Sequence, residues 1–139
     1  MGQHILVPFD DSEPAKKALE YAITSFPDAN VTAMFVVPVH EDYWLSFHGD
    51  PKSTARFEEA KEDAETLLEE ARQIAANLDS EIDTELEAGK PQRVIVDRSD
   101  EFDAVVMGSH SRDTVGRVLL GSVAETVVRR APVPVTVIR

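Results

Sequence analysis

The stretch HILVPFDDSEPAKKALEYAITSF, residues 4–26, decides the fold. Its first part, HILVPF, is a short apolar run rich in residues that favour strands. After the acidic pair, apolar residues recur at helical spacing and form one face, made of Ala15, Ala18, Leu19, Ala22, Ile23 and Phe26. The stretch therefore predicts a strand, a tight turn and an amphipathic helix.

The start of this helix carries its own signals. Ser12 is a residue type that caps helices by accepting a hydrogen bond from a free backbone N–H. Pro14 lies in the first turn, where its missing N–H costs nothing. We expect the helix to begin directly after Ser12.

The rest of the chain continues the alternation of strands and helices. Between His40 and Ser53 the sequence is irregular. Strands are predicted at VTAMFVV (31–37), EIDTEL (81–86, an edge strand), AVVMG (104–108) and VPVTVI (133–138). Helices are predicted from Phe57 to Leu78, within GKPQRVIVDRS (89–99) and from Val123 to Arg130.

This order predicts a single α/β domain over residues 1–139, a three-layer α/β/α sandwich with a parallel sheet. In such folds ligands bind beyond the carboxyl ends of the strands, where the strand order reverses. The candidate site therefore lies after the first and fourth strands. The residues found there are Pro8, Phe9, Asp10 and Asp11 after the first strand, and Met107, Gly108, Ser109, His110 and Ser111 after the fourth.

The charge excludes some classes of partner. With 26 acidic against 14 basic residues the net charge is −12, so nucleic acids and anionic membranes would be repelled. The basic residues include only five lysines, a balance that suits a cytoplasm of very high salt. A plain solvated acidic surface explains the same composition, and both interpretations stay open.

Other features point to a cytoplasmic protein. No stretch approaches the roughly 18 apolar residues that a membrane helix needs. The N-terminus has no basic region or cleavage site of a targeting segment. Cysteine is absent, which excludes disulfides, thiolate catalysis and zinc-thiolate sites but says little about compartment.

The segment MGSHSRDTVGRVLLGSVAE, residues 107–125, is the candidate phosphate loop. Glycine at 108 and 121 lets the main chain approach an anion, and Ser122 can begin a helix whose free N–H groups attract one. The alternative is that Ser122, with Glu125 as a capping box, only caps its own helix. The two roles can coexist, because backbone N–H groups would serve the phosphate.

From ILVPFDDSEPAKKALEYA to LLGSVAETVVRRAPVPVTVI, the chain resembles the universal stress protein family. The family's nucleotide motif is glycine, two residues, glycine, nine residues, and glycine followed by serine or threonine. Here Gly108, Ser111, Gly121 and Ser122 keep both spacings, but Ser111 replaces the second glycine. If that position needs a left-handed backbone, the serine costs roughly 1–2 kcal/mol; if not, it is harmless.

The resemblance implies an adenine-nucleotide α-hydrolase-like sheet in the order 3-2-1-4-5, and ATP as ligand. In a nucleotide site an aspartate could also help hold Mg²⁺, which makes Mg²⁺ a candidate metal. The resemblance also implies a pose. Asp10 would approach the ribose or adenine, and Val36 the adenine. The phosphates would lie along Gly108 and Ser111 and the backbone amides of Gly121, Ser122 and Val123.

Three functions follow from these observations. The favoured one is an ATP-binding stress or signalling module. The second is a dimeric interaction module of the same family that has lost nucleotide binding, which Ser111 supports. The third is an enzyme of the related adenine-nucleotide α-hydrolase class, but FDDSE (9–13) replaces the glycine-rich loop with serine that those enzymes carry after the first strand. No nucleophile with a positioned base is visible either, which leaves at most slow ATP hydrolysis.

The C-terminal VPVTVIR predicts how the protein assembles. Val133, Val135 and Val137 alternate along an edge strand, which is an aggregation hazard unless it is covered. The resemblance implies a homodimer in which Val135 to Ile138 pair antiparallel with their symmetry mates. Pro134 lacks an N–H and must lie near the start of this strand or face away from its neighbour.

Overall fold

Strands and helices alternate along the chain, as the sequence predicts. The computed structural model describes residues 2–38, 51–109, 111–112, 118–119 and 121–139, with side chains for 2–38, 58–109 and 121–139. Its strands are β1 (His4–Pro8), β2 (Asn30–Pro38), β3 (Asp83–Gly89), β4 (Ala104–Gly108), β5 (Ser111–Arg112), β6 (Val118–Leu119) and β7 (Val135–Ile138). Its helices are α1 (Glu13–Ser25), α2 (Pro51–Asn77), α3 (Pro91–Ser99) and α4 (Ser122–Arg130).

Five of the strands form one parallel sheet in the order β3-β2-β1-β4-β7. β1 lies at its centre, with Ile5 opposite Val31 of β2 and Ala104 of β4. Counting only these five strands, the order is 3-2-1-4-5, which confirms the predicted fold class. β5 and β6 form a separate antiparallel pair within a segment that the sequence did not predict as strand.

The core lies on both faces of the sheet. On one face Ile5 and Val7 pack in a cluster with Leu19 of α1 and Ala71 of α2. On the other face a second cluster joins strand residues to α3 and α4; its buried members include Leu6, Val105, Ile95 and Val127. Successive residues of β1 point to opposite faces, and both faces are covered, which explains its continuous apolar run.

Some element boundaries differ from the sequence-based ones. α2 begins at Pro51 rather than at Phe57. β3 extends to Gly89, because it stays paired with β2 up to Pro38. Among the described residues, no helix is both long and apolar enough to cross a membrane.

Pro134 lies where the sequence predicts it, at the start of the last strand. β7 begins at Val135, and Pro134 lies directly before it. The carbonyl of Pro134 accepts a hydrogen bond from the Val105 N–H at 2.9 Å. The predicted place of Pro134 at the start of the strand is therefore confirmed.

The edge strand β3 is tied to α3 by one arginine. Arg98 contacts the carboxylates of Glu85 at 2.6 Å and Glu87 at 2.5 Å, and its Nε also donates to Glu101. The hydrogen bond to Glu101 raises the pKa of the Arg98 guanidinium, and Glu85 adds to this effect. Arg98 thus balances part of the acidic charge at the β3 edge of the sheet.

The two helix starts that matter for the site are built differently. At α1, Ser12 is the N-cap, and its hydroxyl accepts from the Ala15 N–H at 3.2 Å, as predicted. At α4 the N-cap is Gly121, which has φ −66° and ψ 162° and whose carbonyl accepts from the Glu125 N–H at 2.9 Å. The capping-box interpretation of Ser122 is wrong, because the preceding glycine already supplies the non-helical backbone of the cap.

This difference can be tested by one substitution made at both starts. Ser12→Ala should lower the free energy of unfolding by about 1 kcal/mol, because an N–H of the first turn loses its acceptor. Ser122→Ala is the matched control and should change it by less than about 0.5 kcal/mol, since Ser122 is an exposed first helical residue. Urea denaturation measures both. Equal losses at the two serines would contradict the assignment of Gly121 as the cap.

Candidate functional site

A cleft of about 310 Å³ opens at the carboxyl ends of β1, β2 and β4. It lies at the point where the strand order reverses, with β1 and β4 as neighbours. α1 contributes to it from one face of the sheet, and α3 and α4 contribute from the other. This is the edge of the sheet at which the sequence places a ligand.

The structure brings most of the sequence-predicted site residues together around this cleft. The lining includes Pro8, Phe9, Asp10, Val36, Met107, Gly108, Gly121, Ser122 and Val123. His110 lies outside the described residues. For Ser111 only the backbone is described, as part of β5. The contact of each residue with a ligand stays a prediction.

Sequence reasoning missed a second group of lining residues. These are Ser12, Ala15, Met34, Phe35, Pro38, Pro91, Ile95 and Ala124, whereas Ser109 was expected there from its place after the fourth strand. Those of β2 could have been found, since β2 ends at the same edge of the sheet as β1. Pro91 and Ile95 carry no local signal, because α3 reaches the cleft only through the tertiary packing of the core.

The cleft is polar on one side and apolar on the other. Its β2 and α3 side is formed by Val36, Pro38 and Ile95, among other apolar residues. Its β4 and α4 side carries the hydroxyl-bearing residues Ser109 and Ser122. Such a cleft suits a ligand with a flat apolar part and a polar or anionic end.

Asp10 is held by the turn that leads into α1. One of its carboxylate oxygens accepts from the Ser12 N–H at 3.0 Å and from the Ser12 hydroxyl. Asp11 is exposed and forms an ion pair with Lys16 at 3.8 Å. The two neighbouring carboxylates therefore have different partners, which does not suit a pair that shares acid-base work.

Gly108 has a packing role that the sequence did not reveal. A Cβ at this position would lie 2.4 Å from the Pro14 carbonyl carbon and 2.7 Å from the Ala15 nitrogen. The first turn of α1 thus approaches the end of β4 so closely that only glycine fits. The need for glycine here follows from this contact, whether or not a phosphate also binds beside Gly108.

Ser109 links β4, β7 and α4. It is only 3% exposed, and its N–H donates to the Ile138 carbonyl at 2.9 Å. Its hydroxyl accepts from the Gly121 N–H at 3.1 Å. The Gly121 amide, a predicted phosphate donor, therefore has a protein acceptor in this structure.

The start of α4 is the part of the cleft best suited to an anion. Ser122 and Val123 are the first two helical residues, and both line the cleft. The N–H groups of a first turn have no partner within their own helix, and the helix dipole is positive there. Among the described residues no group of three His, Asp or Glu side chains could hold a metal ion.

The backbone at Ser111 bears on the missing glycine of the motif. Ser111 pairs with Leu119 in the antiparallel β5–β6 pair. Strand residues of this kind have extended backbone with negative φ, which any residue adopts. The pairing therefore favours the case in which serine is tolerated.

Comparison with known proteins identifies the family. The family model of the universal stress proteins matches residues 1–139. The chain belongs to the universal stress protein family. A universal stress protein of Methanocaldococcus jannaschii is 32% identical over 139 residues, which cover 97% of this chain and 81% of that protein.

Solved universal stress proteins share the fold. UspA from Lactobacillus plantarum is 28% identical and superposes with a TM-score of 0.78, covering 99% of this chain and 97% of that one. A universal stress protein in complex with cAMP has a TM-score of 0.73 at 22% identity, covering 99% and 97%. One from Archaeoglobus fulgidus in complex with dAMP has a TM-score of 0.67 at 20% identity, covering 100% and 98%.

The packing role of Gly108 predicts a loss of stability without any ligand. Gly108→Ala should lower the free energy of unfolding by about 1–3 kcal/mol, because the new methyl group overlaps the backbone of Pro14. Gly121→Ala is the matched control with a smaller expected loss, since φ −66° is open to every residue. Denaturant unfolding of nucleotide-free protein measures both. An unchanged Gly108→Ala protein would show that α1 can move away from β4 without cost.

Proposed function

We propose that this universal stress protein binds ATP, with Mg²⁺, in the cleft at the ends of β1, β2 and β4. The observation that carries the proposal is the lining of the cleft, which is apolar beside β2 and α3 and includes the first turn of α4, Ser122 and Val123, on the opposite side. Nucleotide occupancy would then serve a cytoplasmic stress-response or signalling role rather than strong catalysis.

The apolar side suits a nucleobase. Val36 and Ile95 belong to the core cluster behind the sheet, so this wall is held in place by the fold itself. Pro38 and Pro91 line the same side. A flat base placed there would remove apolar surface from water on both partners, which is favourable at about 25 cal/mol per Å².

The polar side suits the phosphates. Backbone N–H groups at a helix start bind anions without a charged side chain, and Ser122 and Val123, the first two residues of α4, line the cleft. The acidic protein as a whole repels a triphosphate, so a divalent cation that accompanies the nucleotide would reduce the repulsion. Mg²⁺ is commonly held by one or two carboxylates plus substrate phosphates, and Asp10 supplies one carboxylate.

The comparisons support the ligand class at the level of the fold. Two of the neighbouring structures are described as complexes with cAMP and dAMP, both adenine nucleotides. Their identity to this chain is low, so they support only the view that this sheet accommodates such ligands. The choice of ATP rests on the motif spacing from Gly108 to Ser122.

The described residues favour binding over catalysis. Among those that line the cleft, Asp10 is the only ionisable side chain, and it is engaged by Ser12. The Ser12 hydroxyl in turn accepts from the Ala15 N–H as a helix cap. Neither group is arranged as a nucleophile beside a free general base.

Calorimetry with Mg²⁺ and ATP at high salt tests the proposal directly. Gly121→Val should abolish binding, because a branched side chain would lie where α4 meets the phosphates. Ser111→Gly should bind as well as the unmutated protein, since a strand backbone at Ser111 accommodates serine and glycine alike. Thermal melts without nucleotide confirm that both variants fold.

Two results would count against this view. Absence of heat and of a thermal shift at millimolar ATP in the unmutated protein would leave the nucleotide-free interaction module as the better function. Weaker binding by Ser111→Gly would show that the serine hydroxyl is itself a ligand, a role that the proposal does not give it.

We also propose that β7 pairs with β7 of a second copy. Pro134 and Ile138 direct their carbonyls to β4, so alternation in the ladder turns the N–H and C=O groups of Val135 and Val137 to the outer edge. The side chains of these two valines pack instead against the core cluster. Thr136 is exposed, and it is the residue of β7 that can be altered without disturbing the core.

The dimer can be tested with a charge placed at Thr136. Thr136→Lys should favour monomer, because a two-fold axis through the paired strands would bring like charges together. Val128→Lys, on α4 at 44% exposure, is the control and should leave assembly unchanged. Light scattering gives the mass of each. A monomeric unmutated protein would refute the dimer, and a dimer that tolerates Thr136→Lys would place its interface elsewhere.

A further inference from the structure

We infer that Ser109 is a positioning residue that fixes the start of α4 against the sheet and thereby aims the Ser122 and Val123 amides into the cleft. The inference rests on the proposed nucleotide function and specifies how the phosphate side of that site is built. Ser109 itself would not contact the phosphates through the hydroxyl that binds Gly121.

The contacts of Ser109 join three elements. It follows Gly108 directly and is buried to 3% exposure. Its N–H is bound to Ile138 of β7, so its backbone is held by the sheet. Its hydroxyl accepts the Gly121 N–H at 3.1 Å, which connects the sheet to the helix N-cap.

Gly121 is thereby held through both of its backbone polar groups. Its N–H binds Ser109, and its carbonyl accepts the first hydrogen bond of α4, from Glu125. The structure gives α4 no side-chain cap of its own. The direction of the first-turn amides is therefore set by a side chain that belongs to the end of β4.

A competing arrangement makes the opposite prediction. If a phosphate displaced the Ser109 hydroxyl and took the Gly121 N–H, removal of the hydroxyl would free that amide and tighten ATP binding. If Ser109 positions the helix start, its removal loosens the Ser122 and Val123 amides and weakens ATP binding. The sign of the change thus separates the two.

Ser109→Ala is the variant that tests this, with Mg²⁺–ATP and adenosine as the two probes. We expect ATP affinity to fall about tenfold, from the loss of one oriented set of donors, and adenosine affinity to stay within about twofold. Adenosine lacks phosphates and would contact mainly the apolar side. Ser99→Ala is the control, because Ser99 is also buried and its hydroxyl donates to the Val96 carbonyl at 2.7 Å, without lining the cleft.

The outcomes are distinct. A weaker ATP complex with unchanged adenosine in Ser109→Ala, and unchanged affinity for both in Ser99→Ala, supports the inference. Equal or tighter ATP binding by Ser109→Ala overturns it, as does an equal loss for ATP and adenosine, which indicates a general structural role. If the unmutated protein binds neither probe, the proposed function fails and the inference fails with it; failure of the inference alone requires an unmutated protein that binds.

Discussion

The close approach of α1 to the end of β4 is the constraint on which the rest of the structure depends. The backbone of Pro14 and Ala15 lies so close to β4 that there is no room for a Cβ at position 108. The contact joins the first helix to the fourth strand and so fixes two neighbouring strands and one helix at the same point. Asp10 and Ser12, in the turn just before that helix, are placed at the cleft by the same contact.

The cleft is bounded by two helix starts that are completed in different ways. At α1 the first turn is closed by its own cap, Ser12, which is itself held by Asp10. At α4 the cap is a glycine held from outside by Ser109, and the next two residues line the cleft. Because the donors of α1 are partly used by its own side chains, α4 is the better place for an anion.

The fold could be predicted from the sequence because its signals are local and strong. β1, β2 and β4 are apolar runs covered on both faces, and Ser12 and Pro134 act within a residue or two of where they occur. The site was harder to interpret. The need for glycine at 108 comes from Pro14, far away in the chain, and the choice between Gly121 and Ser122 as cap depends on backbone angles that two adjacent small residues do not reveal.

The net charge of −12 also bears on how an anion could be held. Among the described residues that line the cleft there is no lysine or arginine. An anion bound in the cleft would therefore be attracted by backbone N–H groups and hydroxyls. Exposed ion pairs are weakened by salt, because charges more than about 3 Å apart are screened at 1 M. Hydrogen bonds act over about 2.7–3.2 Å, close to that screening length, so salt weakens them less than it weakens more distant ion pairs. An anion site built from backbone amides would therefore depend less on salt than one built from exposed charged side chains.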